Sequence, residues 1–167
     1  MKKSIYTIIT FVLVFSLVFV NACKKDEYPE VQPRDWVQLM TGTWNTTQVL
    51  QTDIFAVDEG LQPTVMDRTT MFNFTDYTIT FNSSGDNPTN YKIEPGEAPN
   101  YVDLEGTWQL DNYNLPTKVL LTAVGATEPT SEFYLSGPPR AGAPLYLSFQ
   151  RTSGGKAILS YDYRLTK

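Results

Sequence analysis

Gly42-Thr43-Trp44 heads Trp44 to Ile54, a run rich in Thr, Val, Leu and Gln without proline or glycine, and it returns as Gly106-Thr107-Trp108 before Gln109-Leu110. Such residues suit a pleated, half-buried surface, so each copy opens a β-strand. The period of the first strand is not clean. Just upstream, Asp35 can cap a short helix in which Trp36, Leu39 and Met40 share one face, with Gly42 ending it.

Working downstream, Phe72 and Phe74 share one phase, and Tyr77, Ile79 and Phe81 share the other. A phase change at Thr75-Asp76 predicts two antiparallel strands, 70–74 and 77–81, joined by a tight turn or bulge. Asn82 to Pro88 concentrates turn formers and reads as a loop, as do Asp58 to Pro63 and Pro95 to Pro99. Further strands are expected at 90–94, 118–124, 132–136, 145–151 and 157–166, with 101–105 an extended lead into the second Gly-Thr-Trp. Leu145, Leu147 and Phe149 share one face, as do Leu159, Tyr161, Tyr163 and Leu165, and Thr152 to Lys156 between them is a hairpin signal. These segments amount to an all-β antiparallel meander of eight to ten strands behind one short helix. A barrel or a sandwich satisfies the pattern.

Upstream of the domain, Met1-Lys2-Lys3 is basic, Ile5 to Val20 is almost wholly apolar, and Val20-Asn21-Ala22-Cys23 brings small residues before the chain's single cysteine. That order of parts is a secretory signal peptide, and the apolar run falls short of the roughly 20 residues a transmembrane helix needs. Its end resembles the lipobox of bacterial lipoproteins, which implies cleavage between Ala22 and Cys23 and acylation of Cys23. Lys24-Lys25-Asp26-Glu27 resembles the export tag of Bacteroidetes-type surface lipoproteins. The expected organisation is a signal at 1–22, an acylated cysteine and flexible tether at 23–33, and one domain at 34–167. The expected location is the outer membrane, facing the cell surface, with a periplasm-facing anchor as the alternative.

Charge and residue types narrow the chemistry. Removing residues 1–22 takes two of the 13 basic residues and no acid, leaving 11 against 18 and a net charge of −7. An acidic chain without basic clusters is a poor partner for nucleic acid. The chain has no histidine, which removes the commonest general base and metal ligand. No Gly-x-Ser-x-Gly elbow or phosphate-cradling glycine loop is present. A non-enzymatic protein without cofactor is expected. The remaining catalytic route is a carboxylate pair, for which Asp103 with Glu105 and Asp58 with Glu59 are the neighbours on offer. Asp86 and Asn87 lack the spacing of a calcium loop and read as turn residues.

A small helix, Gly-x-Trp at the mouth of the first strand, and a meander ending in a strand with a basic residue is similar to the lipocalin and wider calycin pattern. The resemblance implies a single up-and-down β-barrel over 34–167, with Trp44 plugging one end and Arg164 of the last strand lying across it. An arginine over an indole gains about 0.5 to 2 kcal/mol. Gly106 and Trp108 resemble the mid-domain Gly-x-Trp of small lipocalin-like domains in secreted bacterial lipoproteins of unknown function. The implied activity is binding of a small apolar or amphipathic ligand or a glycan fragment, in a pocket opening away from Trp44. A structural or interaction accessory of an envelope complex is the rival reading, followed by the carboxylate hydrolase. The loop Ser136 to Pro144 carries three prolines, two glycines and one charge, Arg140, as a candidate contact for a ligand carboxylate.

Overall fold

The computed structural model describes residues 35–167. The expected signal with Ala22, the acylated Cys23 and the tether lie outside the described residues. Among the described residues no helix is long and apolar enough to cross a membrane.

The elements are α1 (Trp36–Met40), β1 (Gly42–Asp53), α2 (Ile54–Asp58), β2 (Val65–Asp67), a 3₁₀ turn (Phe74–Asp76), β3 (Thr78–Ser84), β4 (Asn87–Glu94), β5 (Glu105–Leu110), β6 (Lys118–Ala123), β7 (Ser131–Leu135), β8 (Leu145–Ser153) and β9 (Lys156–Thr166). Consecutive strands from β3 to β9 pair antiparallel, β3 pairs with the start of β1, and β9 pairs back onto β1 from Asn45↔Thr166 to Asp53↔Leu159. That last ladder closes eight strands into an antiparallel barrel and rules out the sandwich. Strand β2 stays outside the ring, lying along Leu50–Thr52 of β1.

The uneven period of β1 has a physical cause. A register shift between Thr46 and Gln48 breaks the alternation, so Trp44 and Thr46 point inward in one phase and Val49 in the next. Two expectations fail nearby. Residues 70–74 are not a strand: Asn73 takes a left-handed φ of 52°, and a 3₁₀ turn buries Phe74 and resets the phase before Thr78. Residues 82–88 are not a loop, since both strands run on to a two-residue turn at Gly85-Asp86. Likewise Asp53 caps α2 directly off β1, its Oδ1 accepting from Ala56 N at 3.0 Å.

Because every strand reverses the last, α1, the β3–β4 turn, the loops after β5 and β7, and Lys167 gather at one end of the barrel, here the near end. The far end collects α2, β2, the β4–β5 loop and the turns after β6 and β8. An aromatic layer fills the interior toward the far end. Tyr163 meets Phe74, Tyr77 and Phe133 at ring-centroid distances of 5.8, 5.5 and 6.0 Å.

Burial pushes the tyrosines of this core up: Tyr91 and Tyr101 to about 12, Tyr77 higher still, and Tyr163 well above its ordinary value. A raised folded pKa contributes stability that is whole below the unfolded value of about 10 and lost as pH climbs through the folded value. Urea midpoints should therefore hold up to about pH 10 and fall steeply toward pH 12, with tyrosinate absorbance rising in step with unfolding. A midpoint that stays flat across that window would contradict the shifts.

Candidate functional site

The near end is built around Trp44. Its ring is buried, and Nε1 donates to Met40 O at 2.7 Å, tying the first strand to α1. Gln38 Nε2 donates to Gly85 O at 2.6 Å and Thr41 Oγ1 to Ser83 Oγ at 2.9 Å, so α1 is also fixed to the β3–β4 turn. Asp86 of that turn faces Asp35, whose hydrogen bond and like charge raise the Asp86 carboxyl above its usual range.

The cation over Trp44 is not Arg164. Lys167 Nζ lies 4.6 Å from the indole centroid and donates to Leu39 O and Thr41 O at 3.0 and 2.6 Å. Alternation explains the correction: Tyr163 and Leu165 point in, so Arg164 between them points out, opposite Gln48 and Tyr146. Lys167 is the next inward position after Leu165, a signal the sequence does contain. Partial burial lowers its pKa. Gly42, at φ 122°, passes so close that a Cβ would sit 3.3 Å from Lys167 Cε. The helix itself ends at Thr41.

The second Gly-Thr-Trp builds wall rather than plug. Trp108 Nε1 donates to Asn82 O at 2.8 Å, and its ring lies 5.0 Å from that of Phe81. Gly106 permits a close approach of β5 to β6, argued below.

Arg140 sits in the loop between β7 and β8. Ala143 N donates to Arg140 O at 3.2 Å to close a turn, with Gly142 at φ 68° in the position that needs positive φ. Its guanidinium is exposed and has no hydrogen-bond or ion-pair partner among the described residues. Between this loop and α1 lies a cleft of about 410 Å³, lined by Leu39, Trp44, Arg140, Pro144 and Lys167 among others. Arg140 also borders adjoining clefts of about 200 and 540 Å³. The expected pocket opening away from Trp44 is thus displaced: the clefts that include Trp44 and Arg140 are at the near end, and the aromatic layer occupies the barrel beyond.

A sequence match joins this geometry. Residues 20–165 match the family described as Domain of unknown function (DUF5004). The chain belongs to this family. No curated protein and no solved structure matches it. The matched region takes in the strands of the closed ring up to Leu165, while Thr166 and Lys167, which line the near-end cleft, follow it.

The remaining candidates are dispersed. Asp58, Glu59, Asp103 and Glu105 are all exposed, and Asp103 Oδ2 accepts from Thr130 Oγ1 at 2.8 Å. Among the described residues no three of the acidic, cysteine or histidine side chains gather as a metal site. A further cleft of about 530 Å³ crosses β4 to β6, but it is floored by paired backbone, and its Lys92 is held by Glu94 at 2.6 Å.

Proposed function

We propose that this protein is a non-catalytic binding module, tethered to the outer membrane through acylated Cys23. Its ligand is a small amphipathic molecule with an acidic group, or an acidic glycan fragment, held in the near-end cleft. The observation that carries the reading is the juxtaposition of an unpaired Arg140 with an apolar wall of Leu39, Trp44 and Pro144 in a cleft of about 410 Å³. Ligand pockets are typically about 300 Å³ or larger, mostly apolar, with few polar groups fixing orientation. Arg140 would take the acid bidentately, and the stiff proline loop would hold its guanidinium in place. Lys167 adds positive potential behind it. Multiple acyl chains on Cys23, each methylene worth about 0.8 kcal/mol, would keep the module on the membrane permanently.

The test is one fractionation of cells expressing the full chain, its Cys23→Ser variant and its Arg140→Met variant, followed by mass spectrometry of co-purifying small molecules. The wild type should be in membranes with an acidic molecule bound, and Cys23→Ser should move to the soluble fraction. Arg140→Met should carry about tenfold less ligand, since a hydrogen bond to a charged group is worth about 1.5–3 kcal/mol. Equal occupancy in wild type and Arg140→Met, or an empty wild type, would remove the site. Cys23→Ser remaining on membranes would remove the anchor.

A further inference from the structure

The far end of the barrel carries two guanidinium groups that no carboxylate of the described residues pairs with. Arg68 follows β2. Its Nε donates to Gln51 Oε1 at 3.1 Å, but Nη1 and Nη2 meet only the thioether sulfurs of Met71 at 2.9 Å and Met66 at 3.3 Å. The same group lies 5.6 Å from the ring centroid of Phe72. On the other side Arg151, in β8, lies 5.5 Å from the ring centroid of Tyr101.

A chain of contacts connects the two. Gln51 stands opposite Tyr161 across the β1–β9 ladder. Tyr101 donates to the Tyr161 hydroxyl at 3.2 Å, leaving the Tyr161 proton for another acceptor. The Tyr101 ring stacks on Phe149 with planes 3° apart. Burial is the largest influence on the Tyr101 hydroxyl, holding its pKa up at about 12, and Arg151 and Arg68 both pull the other way, so one phenol feels both cations.

Thioethers are weak acceptors, whereas a guanidinium presents donors matched to a planar anion. Ring faces hold each cation in place without consuming its N–H groups. The surface beside Arg68 is apolar and open, with Met66, Met71 and Phe72 exposed by 44, 61 and 42%. We infer that this rim binds a small amphipathic carboxylate, its head between Arg68 and Arg151 beside the Tyr161 hydroxyl and its alkyl chain along Met66, Met71 and Phe72. The site is at the opposite end from Arg140 and does not depend on the near-end cleft.

The test is saturation-transfer NMR with hexanoate on the full chain carrying Arg140→Met, so that the other cleft contributes nothing. Hexanoate should bind, with hexanol weaker by about tenfold or more, and with inorganic sulfate, which has no protons and is followed by its displacement of hexanoate, weaker by a similar factor, each lacking half of the recognition. Arg68→Met and Arg151→Met should each weaken hexanoate by about tenfold. Arg164→Met, which removes an exposed guanidinium outside the rim, should leave affinity unchanged. Arg151 is exposed, so its variant keeps the test decisive if Arg68→Met does not fold. Three results would overturn the site: equal affinity for hexanol and hexanoate, undiminished binding in the Arg68→Met/Arg151→Met double variant, or no hexanoate binding.

Discussion

Gly106→Ala should cost the barrel about 3 kcal/mol or more, a large share of the roughly 5–15 kcal/mol that is ordinary for a folded domain. A Cβ at this position would lie 2.0 Å from Thr122 O, 2.9 Å from Thr122 C and 3.1 Å from Ala123 Cα. All three are backbone atoms of the neighbouring strand, where Gly106 pairs with Ala123. No rotamer change relieves such a clash, so relief means prising β5 from β6. The backbone dihedrals of Gly106 are outside the left-handed region, which makes the requirement purely one of space. Gly137→Ala supplies the comparison: nothing lies within 4 Å of its would-be Cβ, and it should shift stability by less than about 0.5 kcal/mol. Urea denaturation of the two variants decides the matter, and a folded, wild-type-like Gly106→Ala would refute the close-approach argument.

Tyr163→Ala should cost about 3–5 kcal/mol, the usual range for deleting a large core aromatic. Tyr163 is 2% exposed, and three further rings, Phe74, Tyr77 and Phe133, converge on it from separate segments. The hole could not collapse, because those rings are anchored on the 3₁₀ turn, on the residue before β3 and on β7. Tyr146→Ala, on the same ladder but 46% exposed, should change stability by less than about 0.5 kcal/mol. Comparable urea midpoints for the two variants would show that the aromatic layer is not the core of the fold.

The strands β5 to β9 are legible in the sequence because alternation is local chemistry. Leu145 and Leu147, or Tyr161, Tyr163 and Leu165, face inward for the same reason that they alternate with polar residues. Closure is not local: nothing in 45–53 announces that 159–166 will pair with it, and only the resemblance to known barrels favoured a ring. The 70–74 misreading arose because two phenylalanines in phase look like a strand, while the left-handed Asn73 that breaks it leaves little trace in sequence. Arg164 was misplaced by reasoning from position along the chain, where reasoning from face would have given Lys167. Arg68 and Arg151 were invisible for another reason. They are 83 residues apart in the numbering, and only the fold sets them on either side of Tyr101 and Tyr161.

The β1–β9 ladder also bears on how quickly the native state can be reached. Its pairings join residues more than 100 positions apart, as in Asn45↔Thr166, so the ring cannot seal until the last strand is in place. Until then one edge of β1 offers unpaired backbone along most of its length, a template for another chain. Folding dominated by such distant pairings runs on the order of milliseconds to seconds. That interval is when a holding chaperone would matter most, and β1 is the segment it would need to cover.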